Sequence, residues 1–296
     1  MNKPKRIGDS ELIINNRGAI YHLNVRPDEL AQTVITVGDP HRVKLVSRHF
    51  DSIEVNHQHR EFITHTGYCG KKRISVVSTG IGPDNIDIVL NELDALVNID
   101  FEEKVPNPEL RSLNIIRIGT SGSLQPDIPV DAVVASTHGI GLDNLMHFYR
   151  EEHDDFENTL LKAFVQHTRL DSHLSYPYIY TGDSSLTSAL AKDHLKGITV
   201  TCPGFYGPQG RVLRLGLAQP ELVDLMTTFN HKNLRVTNFE METAAIYGLG
   251  KAMGHRCLSL SSIVANRVNK TFSSHAEKSM ENLIVNTLQA ITESDL

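Results

Sequence analysis

The run Thr33-Val34-Ile35-Thr36-Val37 stops at Gly38-Asp39-Pro40-His41-Arg42. A β-branched run of this length suits a buried strand and is too short for a buried helix. Asp39 is a good helix N-cap and Pro40 a good first helical residue, so the pattern predicts strand, tight turn, then helix over about 40–49. The same alternation recurs along the chain. Asn114–Gly119 and Ala132–Ser136 read as buried strands, with further strands near 197–201, 234–237 and 257–263. Helices are expected near 155–168, 183–194, 219–228, 241–253 and 275–292. Phe62–Tyr68 and Arg73–Thr79 flank a Cys69-Gly70-Lys71-Lys72 turn and predict a hairpin. Gly80-Ile81-Gly82-Pro83 opens a helix with Ile86, Leu90, Leu93 and Leu96 at helical spacing. Strands interleaved with helices imply an α/β fold built on one central sheet. Neither a repeat nor a composition shift divides it. A polar arm is expected over residues 1–20 and one domain over 21–296, with 100–112 as a charged, proline-bearing excursion.

Composition narrows the function classes. With 40% hydrophobic residues, the 296-residue chain can bury a large core, and its formal charge is −6. Such a balance gives no electrostatic footprint for nucleic acid. Cys69, Cys202 and Cys257 are far apart and form no CxxC, which argues against a disulfide framework or a thiolate zinc site. The basic start, Met1 to Arg6, is followed by no apolar run, so no signal peptide or membrane span is expected, and the expected compartment is the cytoplasm.

Three stretches can carry chemistry. Arg42 follows the first strand's turn, and Arg117 lies inside an apolar strand, where a lone charge would be costly. Either Arg117 pairs with a carboxylate, or it joins Thr120 and the backbone amides of a Gly119-Thr120-Ser121-Gly122 turn in binding an oxyanion. Glu240 and Glu242 stand at a strand-to-helix entry. Two residues apart, they point different ways, so one can face a site while the other braces the loop. A carboxylate suits the paired hydroxyls of a ribose, and it also suits a helix N-terminus. The third stretch is Pro203-Gly204-Phe205-Tyr206-Gly207-Pro208-Gln209-Gly210-Arg211. It is either a surface turn or a rigid loop whose ring, amide and guanidinium match a planar heterocycle. GxSxG, GxGxxG, Walker A and HExxH patterns are absent, and no metal site is expected.

Taken together, Val37–Arg42, Ser78–Gly82, Arg117–Gln125 and Asn238–Glu242 resemble the nucleoside phosphorylases of the purine nucleoside/uridine phosphorylase superfamily. The resemblance runs in order from about His22 to Arg267. Phe205–Arg211 is similar to the uracil loop of that superfamily's uridine phosphorylase branch, as are Leu142-Asp143 and Met146-His147-Phe148. The resemblance implies a single-domain, three-layer α/β/α fold whose central mixed sheet bends into a partial barrel. It implies that Gly38, Arg42, Arg117 and Thr120 bind phosphate, with Arg60 added by a neighbouring subunit. It implies that Met241 and Glu242 bind ribose, with His22 reaching the ribose 5′-hydroxyl from a neighbour. Phe205, Gln209 and Arg211 then hold the base, with Arg267 near a base carbonyl. The catalytic set implied is Arg42, Arg117, Gln209, Arg211 and Glu242. Sites completed by neighbours imply a homo-oligomer, a dimer at least and a hexamer in the bacterial branch.

The implied reaction is phosphorolysis of uridine to uracil and ribose 1-phosphate, with inorganic phosphate as co-substrate and no cofactor. It needs no protein nucleophile, so the missing nucleophile motifs are consistent with it. Purine enzymes of the family place a Ser-Asp pair where this chain reads Ser261-Ser262-Ile263-Val264-Ala265-Asn266-Arg267. Without that Asp, a purine leaving group lacks its general acid. Other readings are a phosphorylase of broader or purine specificity and a silent nucleoside-binding homologue. Some bacterial relatives hold a potassium ion at the dimer interface, using a Glu matching Glu61. Here the Gly82-Pro83-Asp84-Asn85 turn departs from the family's Gly-Gly-Pro-Ser type, which weakens the case for that ion. Val212-Leu213-Arg214-Leu215-Gly216 also departs from the usual sequel to the uracil loop, so base selectivity is open to change.

Overall fold

Thr33–Val37 forms β1 with every residue buried. Asp39 caps α1 (Pro40–Ser47), its carboxylate accepting from the His41 N–H at 2.9 Å. This is a computed structural model, and it describes residues 5–150, 152–170 and 176–296. The first four residues of the expected arm lie outside that range.

The chain continues through β2 (Ser52–His59), β3 (Phe62–Cys69), β4 (Lys72–Ser78) and α2 (Pro83–Asn98) to the short pair β5 (Ile99–Asp100) and β6 (Val105–Pro106). Next come β7 (Asn114–Ser123), β8 (Val133–Gly141), α3 (Asp155–Thr168), β9 (Tyr178–Thr181), α4 (Ser184–Leu190) and β10 (Leu195–Thr201). The last part holds α5 (Leu222–Thr228), β11 (Asn230–His231), β12 (Leu234–Glu240), α6 (Thr243–Met253), β13 (Arg256–Asn266), β14 (Thr271–Phe272) and α7 (Ala276–Glu293). The predicted strands and helices thus occur in the expected order, while β2, β5, β6, β9, β11 and β14 were not predicted.

Among the described residues, twelve strands form one mixed sheet. Its long path runs β11-β12-β10-β8-β13-β7-β1-β4-β3-β2. β12 also pairs antiparallel with β7, through Asn238 opposite Ser123 and Phe239 opposite Gly122. That pairing closes β7, β13, β8, β10 and β12 into a ring, with β1, β4, β3 and β2 extending it as an open wing. Closure removes two edges that would otherwise need covering. On one face α2 and α6 pack together over Val34 and Ile115. The opposite face carries α1, α4 and α7 over Ile35, Val37, Ile116 and Leu258. A third cluster joins α3 and α5 to β10 and β12 around Phe164 and Phe229.

Two sequence expectations change. The Gly119–Gly122 turn is absent, because β7 runs on to Ser123, held by parallel pairing to β13 and antiparallel pairing to β12. Ladder bonds to two neighbours favour the extended backbone over an open nest of amides. The polar arm is also not separate from the domain. The Ile7 N–H donates to the Lys104 carbonyl at 2.8 Å, and Lys104 pairs with Asp9 at 2.6 Å. Leu12, Ala19 and Ile20 are buried. Three apolar side chains scattered among polar ones show no period, yet they suffice to dock the arm against the β5–β6 excursion.

Glu29 secures this segment. Arg17 forks its carboxylate with two contacts of 2.7 Å, and the Arg26 N–H donates at 2.8 Å. Burial pushes Glu29 toward its neutral form, but hydrogen bonds from Arg17, Arg26 and His57 outweigh it and lower the pKa to about 2. A depressed carboxyl pKa stabilises above the unfolded value and stops doing so as pH falls through the folded one. Replacing Arg17 by Met should therefore cost about 2 kcal/mol near neutral pH. The gap from the parent should narrow between pH 4.5 and 2. Urea denaturation of both proteins across that window checks it; a gap that stays constant would show that the pair does not hold the segment.

Candidate active site

Four parts of the chain meet around a cleft of about 280 Å³. Gly38 comes from the β1–α1 turn and Arg42 from the first turn of α1, Arg117 and Thr120 from β7, and Met241 and Glu242 from the β12–α6 entry. Phe205, Gln209 and Arg211 come from the Gly/Pro loop. Nine of the residues singled out by sequence therefore share one cavity.

Arg117 is the centre of the polar corner. Its Nη2 donates to Glu242 at 2.6 Å and lies 3.0 Å from a Glu240 oxygen, while Nη1 reaches the Ser261 hydroxyl at 3.3 Å. Burial alone would lower its pKa, but the Glu240 and Glu242 charges overcome that and raise it. Gly119 makes this placement possible. A Cβ there would stand 2.1 Å from Arg117 Nη1. Arg42 lies opposite, with Nη1 donating to the Ile118 carbonyl at 3.3 Å. Burial, and next the Arg117 charge, lower its pKa. A guanidinium whose charge depresses that of a second one makes a corner suited to an anion.

The two carboxylates do not point apart as their spacing suggested, since both reach Arg117 Nη2 and both line the cleft, but their other partners differ. Glu240 is saturated: it accepts from the Thr201 hydroxyl at 2.7 Å and from the N–H groups of Glu242 and Thr243 at 2.9 Å. Glu242 faces the cleft and accepts from the Gly82 N–H at 2.8 Å. That amide is aimed by a backbone turn with φ of 96° at Gly82, a conformation glycine adopts freely. Burial, reinforced by Glu240, raises the Glu242 pKa against the pull of Arg117 and Gly82.

Across the cleft, residues 207–209 form a single 3₁₀ turn. The N–H groups of Gln209 and Arg211 both donate to the Tyr206 carbonyl. Arg211 stacks on Phe205 with its guanidinium carbon 3.7 Å from the ring centre. Its Nη1 donates to the Phe205 carbonyl at 2.7 Å and to Gln209 Oε1 at 2.6 Å. That second bond fixes the amide, oxygen toward the guanidinium. Burial and then Arg267 lower the Arg211 pKa.

Three predicted residues do not line the cleft. Arg267 lies behind the loop and donates to its backbone, as described further below. His22 and Arg60 sit together elsewhere. His22 Nδ1 is 2.7 Å from Glu92, its ring stands edge-on to Tyr21, and Arg60 reaches the Tyr21 hydroxyl at 3.4 Å. Sequence reasoning missed the apolar walls, Ile81, Val264, Ala265 and Phe272. Ile81 is 68% exposed between two glycines, a signal that could have flagged it. The others carry no local signal. The pairing of β13 with β7, and of β14 with β13, brings them to the cleft.

The sequence profile of the phosphorylase superfamily matches residues 32–293. The chain belongs to the phosphorylase superfamily. A uridine phosphorylase of Thermococcus kodakarensis is 28% identical over 283 residues, covering 94% of this chain and 88% of that protein. A DeoD-type purine nucleoside phosphorylase of Buchnera aphidicola is 25% identical over 277 residues, covering 91% and 98%. Among solved structures, a Trypanosoma brucei nucleoside phosphorylase showing uridine phosphorylase activity superposes with a TM-score of 0.87 at 30% identity. The match covers 96% of this chain and all of that one.

In this phosphorylase, Gly119→Ala should push Arg117 out of the corner. Loss of one charge-assisted hydrogen bond costs about 1.5–3 kcal/mol, so affinity for inorganic phosphate should fall about 10- to 100-fold. Gly216→Ala, where a Cβ meets nothing within 4 Å, should leave it unchanged. Calorimetric titration with phosphate reads both; equal affinities in the two variants would remove Arg117 from the anion site.

Proposed function

We propose that this enzyme is a uridine phosphorylase, converting uridine and phosphate to uracil and ribose 1-phosphate. The observation that carries the reading is the facing of two chemistries across one cleft. An arginine pair stands on one wall, and a ring, amide and guanidinium stand on the other. Arg42, Arg117, Thr120 and the Gly38 backbone hold the phosphate dianion. Glu242 accepts from the ribose hydroxyls beside Met241. Phe205 packs on the base, while Gln209 and Arg211 bond its edge.

In that pose the C1′–N1 bond breaks toward a ribosyl cation. Phosphate oxygen attacks C1′ from one face as uracil leaves with the bonding pair from the other. Glu242 and the phosphate stabilise the cationic sugar, and Arg211 and Gln209 the uracil anion, so positioning and preorganised charge supply the rate. No cofactor enters the scheme. His22 and Arg60 complete the site from a second copy, which makes the working form a homo-oligomer, dimer or hexamer. The reading carries with it a role in pyrimidine salvage in the cytoplasm.

Relatives named as purine enzymes invite a second reading, and Asn266 argues against it. Its Nδ2 donates to the Gln125 and Ile128 carbonyls, both at 2.8 Å. Its Oδ1 accepts from the Val268 and Asn269 N–H groups. A side chain so engaged offers no proton to a purine.

The deciding assay gives the purified protein uridine, thymidine and inosine, each with and without phosphate. Phosphate-dependent release of uracil is expected. Inosine cleavage would point to a purine enzyme, cleavage without phosphate to a nucleosidase, and binding without cleavage to a silent homologue. Arg211→Ala should lower turnover about 100-fold, the usual loss for one such donor. Its thermal midpoint should hardly move, because a loop Arg contributes little to the core. Near-normal turnover would overturn the role given to Arg211.

A further inference from the structure

Arg267 was expected at a base carbonyl, yet the structure spends its guanidinium elsewhere. Nη1 donates to the Gln209 carbonyl at 2.9 Å, and Nη2 lies 3.5 Å from the Gly210 carbonyl. The guanidinium carbon sits 5.5 Å from the centre of the Phe239 ring, which Arg211 also approaches, at 5.8 Å. Arg267 is absent from the residues lining the cleft.

The root of this side chain is firmly held. The Arg267 N–H donates to the Ser123 carbonyl at 2.9 Å. The preceding Asn266 is buried and bonded on both sides of its amide. The other end reaches a loop with few ties of its own. Within residues 205–211 the backbone bonds run from Gln209 and Arg211 to Tyr206 and from Gly210 to Gly207, all local. Local turns fix the loop's shape, and its place against the barrel depends on contacts from outside it, among them the burial of Gln209 and the closeness of Gly210 to Val223. A two-pronged donor from a rigid strand end supplies that placement.

We infer that Arg267 is a positioning residue: it clamps the backbone at Gln209 and Gly210 to the end of β13, thereby setting where Gln209 and Arg211 meet the base. This rests on the base-reading role proposed for that loop. Phe239, at the closing pair of the barrel, is the surface on which both guanidiniums lie, so clamp and reader share one support.

A double-mutant cycle with hydrogen exchange tests it. Arg267→Met should lower kcat/KM for uridine by about 100-fold, as displacement of a reacting group does. The KM for phosphate should stay unchanged, since the arginine corner is on the other wall. In an Arg211→Ala background the same change should cost less than about threefold more, because a clamp acts through the reader it places. A full further loss of about 100-fold would overturn the clamp and make Arg267 an independent reader. In the unliganded protein, amides of residues 209–211 should exchange at least about tenfold faster in Arg267→Met, and unchanged exchange would also overturn it. If Arg267→Met does not fold, Arg267→Lys serves. Its ammonium keeps one donor and loses the fork, so it should show intermediate exchange; exchange equal to the parent's would overturn the clamp. The exchange readout needs no turnover. A parent protein that fails to cleave uridine would therefore sink the proposed function without deciding the clamp.

Discussion

The site depends on one buried guanidinium. Arg117 rises from the middle of an apolar strand and meets Glu240 and Glu242 in a place almost closed to water. Removing one member of such a group leaves an uncompensated buried charge, typically a loss of about 3–5 kcal/mol. A hydrophobic substitute would often be at least as stable, so stability alone does not explain why charge is placed there. An anion site does. The same guanidinium is held on one side by carboxylates and faces a second arginine on the other, so its direction is set before any ligand arrives.

The carboxylates have unequal freedom. Glu240 is bonded to Thr201, to Arg117 and to the backbone that turns into α6, and has little left to offer a ligand. Glu242 holds Arg117 and one amide and stands at the cleft wall. In the proposed reaction, ribose hydroxyls and phosphate take up these partners together. The sugar's carboxylate and the phosphate's arginine are thus already in contact, which couples the two halves of the site.

Barrel closure does for the base loop what Glu240 does for the ribose corner. The short pairing of β12 with β7 sets Phe239 beside Gly122, and Arg211 in the cleft wall and Arg267 behind the loop both lie near that ring. The loop keeps its shape through its own turns and its place through β13. An aromatic ring bearing two guanidiniums is also an electrostatic arrangement, since each is drawn to the ring face while they repel one another. The positive potential that results is where a departing uracil anion would form.

Much of this was legible in the chain itself. Short β-branched runs, the Asp39-Pro40 start and the Gly80–Pro83 entry named strands and helices because such signals are local. The i, i+2 spacing of Glu240 and Glu242 suggested that they point apart, yet both converge on Arg117, and the loop's composition named the ring, amide and guanidinium that the fold brings to the cleft. Tertiary structure decided the rest. Whether Arg117 was a salt bridge or an anion ligand could not be read from β7, because its partners come from β12, more than a hundred residues away; the fold makes it both a salt-bridge partner and a wall of the cleft. Residues 119–122 became strand because two neighbouring strands paired with them. Arg267 donates to the Gln209 carbonyl because the end of β13 lies beside the loop, a contact that no local signal announces. In each case residue type set which chemistry was available, and long-range pairing, invisible to any local period, chose the partner.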